Sequence, residues 1–123
     1  MQEIQISVDI EATGPIPGEF SVYQLGACVI KEVSENFYTE IKLLNENHIS
    51  EALSSCGTTI EELRTKGIAP QAAMRLFTEW IQKVSKEKGL RPVFVAFNAT
   101  FDWMFVHWYF HKFLGYSPSA SAD

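Results

Sequence analysis

The sequence lacks long hydrophobic runs, has only two cysteines, and contains fewer basic than acidic residues. No stretch approaches the roughly eighteen apolar residues of a membrane span, and the first residues do not have the pattern of a signal peptide. We therefore expect a cytoplasmic protein with no membrane partner. The net charge of −5 argues against a protein that holds long stretches of nucleic acid by bulk electrostatics, because phosphate contacts need Lys and Arg.

The two cysteines form neither a metal-binding pattern nor a disulfide framework. Cys28 lies in an apolar run and Cys56 in a polar loop, and we expect both to be reduced thiols. With 46% apolar residues in 123, the chain is long enough for one hydrophobic core, so we expect a single domain over residues 1–123. The small residues of 117–123 predict a flexible tail.

Alternating and apolar runs predict three early strands in an antiparallel meander. The first, EIQISVDI, ends near Asp9, and a loop rich in glycine and proline follows it. The second runs from Phe20 to Ile30. A turn at residues 34–36 then leads into a third strand, NFYTEIKLL, and the second and third strands are predicted to pair as a hairpin.

The second half of the sequence predicts helices around one further strand. A short helix begins at Thr59 and ends by Gly67, and a longer amphipathic helix begins at Pro70. The apolar run VFVAF predicts a strand covered on both faces, and an aromatic-rich helix follows it to Leu114. Basic residues after the amphipathic helix could contact phosphate or simply favour the helix dipole; they are Lys83, Lys86, Lys88 and Arg91.

Two acidic residues stand two positions apart at the end of the first strand. If the strand extends through Glu11, the side chains of Asp9 and Glu11 project from the same face. Two like charges so close are unfavourable unless a cation neutralises them. In the alternative, the strand ends at Asp9 and both acids face water.

A third acid follows the buried VFVAF strand, in the first turn of the next helix. If that strand lies beside the first one, Asp102 reaches the same sheet edge as Asp9 and Glu11, where open α/β sheets place their sites. An acid near a helix N-terminus is also favoured by the helix dipole, which is the structural alternative. Three converging carboxylates suit Mg²⁺ or Mn²⁺.

The segments VDIEATG and FNATFDWMF carry a resemblance to a known family. They resemble the first two motifs of the DEDD superfamily of 3'-to-5' exonucleases, which includes ribonuclease T and the proofreading exonucleases. The resemblance implies a ribonuclease H-like α/β fold, with a mixed sheet of three antiparallel strands and one parallel strand flanked by helices. It also implies a two-metal phosphodiesterase acting on the 3' end of single-stranded DNA or RNA.

Site residues follow from the same resemblance. Asp9, Glu11 and Asp102 match the positions that bind two divalent ions, Mg²⁺ or Mn²⁺, and carry out catalysis. Ala12, Thr13 and Asn98 match positions that hold the terminal nucleotide. For Thr13 and Asn98, turn formation and helix capping are equally good explanations.

The sequence departs from the family pattern in two places. Cys56 replaces a histidine that can contact substrate in many relatives. The third motif, a His or Tyr before a fourth acid, is missing, so we expect a C-terminally truncated fold without the family's fifth strand and last helix. His48, His107, His111 and Asp123 do not match that motif, and no general base is assigned.

Two hypotheses therefore stand. The first is that the chain is a metal-dependent exonuclease. The second is that it is a catalytically silent nucleic-acid-binding or partner-binding module, or a fragment that needs a missing segment. We expect one flank of the aromatic helix, around Trp103, Val106 and Phe110, to be exposed unless a homo-oligomer or a partner chain covers it.

Overall fold

A computed structural model describes residues 2–95, 99–118 and 120–121 and arranges five strands in one mixed sheet. The strands are β1 (Glu3–Ala12), β2 (Val22–Val29), β3 (Glu32–Glu40), β4 (Arg91–Val95) and β5 (Ala120–Ser121), and their order is β3-β2-β1-β4-β5. The first three are antiparallel neighbours, while β4 runs parallel to β1. The predicted mixed sheet is confirmed. The two-residue β5, parallel to β4, is a fifth strand that was not expected.

Four helices accompany the sheet: α1 (Ser50–Ser55), α2 (Ile60–Leu63), α3 (Pro70–Val84) and α4 (Ala99–Phe113). Pro70 occupies the start of α3, as predicted. The hydroxyl of Thr59 accepts a hydrogen bond from the backbone N–H of Glu62 and so caps α2. None of the helices in the described residues is long and apolar enough to cross a membrane.

The hairpin turn between β2 and β3 lies earlier than the sequence predicted. Val29 pairs directly with Glu32, so residues 30–31 form the turn and the predicted turn at 34–36 is wrong. The next pair joins Cys28 to Asn36, which leaves residues 33–35 as an irregularity inside β3. The Asn36 amide donates hydrogen bonds to the carbonyls of Val33 and Ser34, so the turn-forming residues stabilise a bulge.

An aromatic core joins one face of the sheet to α3 and α4. Phe77 of α3 lies fully buried at its centre and stacks on Phe37, Phe94 and Phe110 at centroid distances of 5.2, 5.8 and 5.7 Å. Alternate residues of β1 reach this core from the sheet, namely Ile6, Val8 and Ile10. The packing fixes both long helices against the sheet and so determines where α4 begins.

The predicted exposed flank of α4 is wrong for two of its three residues. Val106 and Phe110 are buried in the core, with 1% and 0% of their surface exposed, and Trp103 is half-buried against Phe94. Apolar residues occur on nearly every side of this helix, so its sequence alone does not identify the face that meets the sheet. The solvent side instead carries Met104 and His107.

Candidate active site

The acidic pair of β1 lies at the sheet edge where β1 and β4 both end. β1 continues to Ala12, so Glu11 is part of the strand. This is the alternative in which Asp9 and Glu11 project from the same face. Asp9 pairs with Gly26 and Glu11 with Gln24 of β2, so the two acids share a face. This face is opposite to the one that carries Ile10 into the core. Asp9 is exposed and Glu11 is half-buried.

The third acid lies directly beside the same segment of β1. Asp102, in the first turn of α4, is only 5% exposed, and its Oδ1 accepts a hydrogen bond of 3.3 Å from the backbone N–H of Ile10. Ile10 stands between Asp9 and Glu11 in the chain. The parallel pairing of β1 with β4 produces this arrangement, because it carries the start of α4 to the end of β1.

Glu11 makes a contact that the sequence did not predict. The Cys56 thiol, just after α1, donates a hydrogen bond of 3.0 Å to Oε2 of Glu11. Both cysteines are free, as expected. Cys56 therefore lies against a candidate metal ligand, although 45 residues separate the two in the chain.

Tyr23 is a further residue of this region that sequence reasoning missed. Its ring is buried with Leu53, Ile60 and Leu63, and within the described residues its hydroxyl makes no hydrogen bond. Burial, and then the neighbouring Cys56 side chain, raise the pKa of Tyr23 above its usual range. Tyr23 lies at an irregularity in β2, because Gln24 pairs with Glu11 and Val22 pairs with Ala12. No pattern in the sequence predicts this irregularity.

A cavity of about 380 Å³ opens beside Glu11. Tyr23 and Cys56 line it together with residues of β2, β3 and α2, and Lys66 supplies a positive charge. A ligand in this cavity would lie next to the carboxylate of Glu11 and to a buried hydroxyl that has no partner among the described residues.

The donor chemistry of the three acids fits a hard divalent cation, since Mg²⁺ and Mn²⁺ prefer carboxylate oxygens. In the structure, however, the three carboxylates are not oriented as a metal site. Among the described residues, no group of three or more His, Cys, Asp or Glu side chains could hold a metal ion. The carboxylate of Glu11 is directed at Cys56, and that of Asp102 at the backbone of Ile10. A metal ion bound through Oε2 of Glu11 would compete with the Cys56 thiol for that oxygen.

Thr13 supports the loop that follows the acids. It is fully buried; its Oγ1 accepts a 2.9 Å hydrogen bond from the Ser21 N–H and donates one of 3.1 Å to the Asn47 carbonyl. This geometry favours the turn-forming explanation for its side chain. Ala12 is half-buried beside the irregularity in β2. Asn98, the third predicted nucleotide-binding residue, lies outside the described residues.

The histidines occupy other parts of the surface. His48 is exposed, with its Nδ1 2.7 Å from the carbonyl oxygen of Glu46. His107 and His111 pack on each other along the solvent side of α4, with ring centroids 4.4 Å apart. This agrees with the helical spacing, which turns both rings away from Asp102. Asp123 lies outside the described residues.

The basic residues after α3 lie at the other end of β4. Arg91 begins β4, whereas the acids lie where β4 ends, and the Arg91 guanidinium pairs with the carboxylate of Glu3. Lys83 stands in the last turn of α3, where a cation favours the helix dipole. This placement separates the basic cluster from the candidate active site.

Comparison with known proteins identifies one close relative in sequence. The 3'-5' DNA exonuclease Cap18 of Escherichia coli is 45% identical over 117 residues, which cover 95% of this chain and 62% of Cap18. The chain thus spans less than two thirds of this relative's length. No family model matches the chain.

Solved structures of exonuclease I share the fold. The product-bound structure aligns with 100% of this chain and 30% of its own length, at a TM-score of 0.72 and 20% identity. The E. coli exonuclease I complex with a dT13 oligonucleotide aligns with 99% of this chain and 28% of its own length, at a TM-score of 0.74 and 20% identity. These findings confirm the resemblance to DEDD-type 3'-to-5' exonucleases and the ribonuclease H-like fold.

Proposed function

We propose that this chain, a homologue of 3'-5' exonucleases, forms the part of a metal-dependent exonuclease that binds the ions and the 3' end of single-stranded DNA. The observation that carries the proposal is the hydrogen bond from the Ile10 N–H to Asp102, which brings a third acid beside Asp9 and Glu11. The name of the 45% identical relative favours DNA over RNA.

Asp9, Glu11 and Asp102 would hold two Mg²⁺ or Mn²⁺ ions. Bound divalent ions of this kind activate a water molecule and stabilise the departing 3' oxygen during phosphodiester hydrolysis. The chain itself orients the carboxylates. The backbone of β1 fixes Asp9 and Glu11 on one face, and the aromatic core fixes the start of α4.

Ala12 and Thr13 would position the terminal nucleotide through the loop that they begin. The Thr13 N–H donates to the Ser21 carbonyl at 2.8 Å, and the Thr13 carbonyl accepts from the Ile49 N–H at 2.8 Å. These hydrogen bonds, with those of the Thr13 hydroxyl, hold the loop in one conformation next to Glu11. A fixed loop would orient a nucleotide with little loss of the loop's own conformational entropy on binding.

A second candidate function is favoured by the orientation of the acids. Because no group of three metal-binding side chains is formed among the described residues, the chain could be a catalytically silent module that binds nucleic acid, or could need a further segment for activity. Such a module would bind an oligonucleotide but would not hydrolyse it with any divalent ion.

The decisive experiment is hydrolysis of a 5'-labelled single-stranded DNA oligonucleotide with Mg²⁺, with Mn²⁺ and with chelator. We expect metal-dependent stepwise shortening, and a loss of at least about 100-fold in turnover for Asp9→Asn and for Asp102→Asn. Asparagine keeps the oxygen that accepts the Ile10 hydrogen bond, so the melting temperature of Asp102→Asn should stay close to that of the wild type.

The matched control is Glu87→Gln, which removes an exposed acid from the segment after α3. Its turnover should equal that of the wild type. Unchanged turnover in Asp9→Asn or Asp102→Asn would refute the assignment of these acids. A wild-type chain that binds the oligonucleotide but leaves it intact with both ions would favour the second candidate, a silent module or a chain that needs a further segment.

A further inference from the structure

We propose that a groove along the solvent side of α4 binds bases of single-stranded nucleic acid on the 5' side of the nucleotide held at the active site. The inference rests on the proposed function and assigns it a second contact surface. The groove has a volume of about 640 Å³ and is called the α4 groove below; it is lined by Pro17, Trp103, Met104, His107, Trp108, His111 and Lys112.

Three aromatic rings follow one another along this groove at a helical spacing of four residues. The rings of Trp103 and His107 lie 5.4 Å apart between centroids, and those of His107 and His111 lie 4.4 Å apart. Four residues advance about 6 Å along a helix axis, so the rings form a row parallel to α4. Aromatic rows of this kind are platforms on which successive bases stack without sequence preference.

The floor of the groove is rigid before any ligand binds. Trp103 is held edge-on against the buried ring of Phe94, at a centroid distance of 5.6 Å. Trp108 packs against the backbone of Gly18, where a Cβ atom would lie 2.9 Å from Trp108 Cζ2. Since the backbone and the core fix both tryptophans, stacking on them would require little ordering of the protein.

The charge of the α4 groove points to an anionic occupant. Among the residues that the structure describes, none of those lining the groove is acidic, although the whole chain carries a net charge of −5, and Lys112 lies at its far end. A patch that combines aromatic rings with a cation and excludes carboxylates is complementary to bases joined by phosphates. The same combination would offer little to a basic partner protein.

The position of the groove connects it to the candidate active site. Trp103 follows Asp102 directly in α4, and Pro17 belongs to the loop between β1 and β2 that begins after Ala12. The groove therefore begins at the residue that follows Asp102 in the chain and runs along α4 to Lys112. A strand whose 3' end lies at the acids would have its preceding nucleotides along this row of rings.

The test measures binding of 5'-fluorescein single-stranded DNA of 4 and 12 nucleotides by anisotropy, with chelator present so that hydrolysis plays no part. We expect the wild-type chain to bind the 12-mer more tightly than the 4-mer. The double variant His107→Ala/His111→Ala should weaken 12-mer binding about tenfold and should weaken 4-mer binding less, because at most the first nucleotides of the shorter strand reach both histidines. Both histidines are exposed, so the melting temperature should not change.

Lys112→Gln and Lys83→Gln form a matched pair, since each removes one exposed lysine from the last turn of a long helix. Only Lys112→Gln should weaken 12-mer binding and reduce its salt dependence. Equal effects of the two lysine variants, or full 12-mer affinity in the histidine double variant, would show that the α4 groove does not bind the oligonucleotide. Neither result would contradict the proposed function.

Two further outcomes separate this inference from its premise. If the wild-type chain binds neither oligonucleotide with chelator present, the α4 groove is refuted, and the proposed function is then decided by the hydrolysis experiment with Mg²⁺ and Mn²⁺. If sedimentation shows a dimer that the histidine double variant loses, with oligonucleotide binding unchanged, a second copy of the chain occupies the groove and the inference is overturned.

Discussion

The two faces of the sheet around β1 are built in opposite ways. On one face, Ile6 and Val8 enter an aromatic core that is shared with α3 and α4. On the other, Asp9 and Glu11 project from the same strand, beside directional hydrogen bonds such as that from Cys56 and a smaller apolar cluster around Tyr23. Asp9 and Glu11 lie outside the aromatic core. We therefore expect substitutions of these two acids to change the chemistry of the site more than the stability of the fold.

Non-directional packing and directional hydrogen bonds also differ in how they respond to substitution. Removing a buried ring loses its transfer free energy and leaves a cavity, whereas removing one hydroxyl loses a hydrogen bond and strands its partner. Substitutions on the core face should therefore change the free energy of unfolding most, and those near the acids should change it less.

The largest effect is expected for Phe77→Ala. The ring is fully buried and stacks on four other aromatic rings, so the free energy of unfolding should fall by about 3–5 kcal/mol in urea denaturation. Leu76→Ala is the control on the same helix, because Leu76 is 47% exposed, and should change it by less than about 1 kcal/mol. Similar losses in both variants would show that the core face is not the main source of stability.

This contrast could be predicted from the sequence where local patterns determine it. The alternation of β1 predicted that Asp9 and Glu11 share a face if the strand extends through Glu11, and the buried strand before α4 predicted that Asp102 would reach the same edge. Both predictions depend on strand direction and on short connections, which are properties of neighbouring residues.

Other features depend on tertiary packing and were not predictable. The contact between Cys56 and Glu11 joins a loop to a strand across 45 residues, and the irregularity that places Tyr23 beside them leaves no sequence pattern. The orientation of α4 was predicted wrongly because its apolar residues surround the helix. Val106 and Phe110 both enter the core, where Phe110 stacks on Phe77 and Phe94.

An intermediate effect is expected for Thr13→Val, which keeps the shape of the side chain and removes its hydroxyl. The Ser21 N–H loses its hydrogen bond to Oγ1, and the Asn47 carbonyl loses its donor, so the free energy of unfolding should fall by about 2 kcal/mol. Thr39→Val is the control, because the Thr39 hydroxyl contacts only the neighbouring carbonyl of Glu40 in the described hydrogen bonds. A Thr13→Val chain as stable as the wild type would mean that water replaces both bonds.

The smallest effects compare two buried tyrosines, one in each environment. The Tyr109 hydroxyl accepts a 2.8 Å hydrogen bond from the Val22 N–H, so Tyr109→Phe strands a buried donor and should lower the free energy of unfolding by about 1 kcal/mol. The Tyr23 hydroxyl is buried without a hydrogen-bond partner in the described chain, so Tyr23→Phe should be neutral or slightly stabilising.

Thermal and urea unfolding of the two variants, measured together, test this ranking. Equal destabilisation would mean that the Tyr23 hydroxyl makes a hydrogen bond in solution, with water or with Cys56. The hydroxyl beside the candidate active site would then be as well hydrogen-bonded as the Tyr109 hydroxyl in the core. If Tyr23→Phe is instead stabilising, the hydroxyl beside Glu11 and Cys56 is kept at a loss of stability. A polar group retained in that way, in a cavity next to a candidate metal ligand, is expected where binding rather than folding determines the residue.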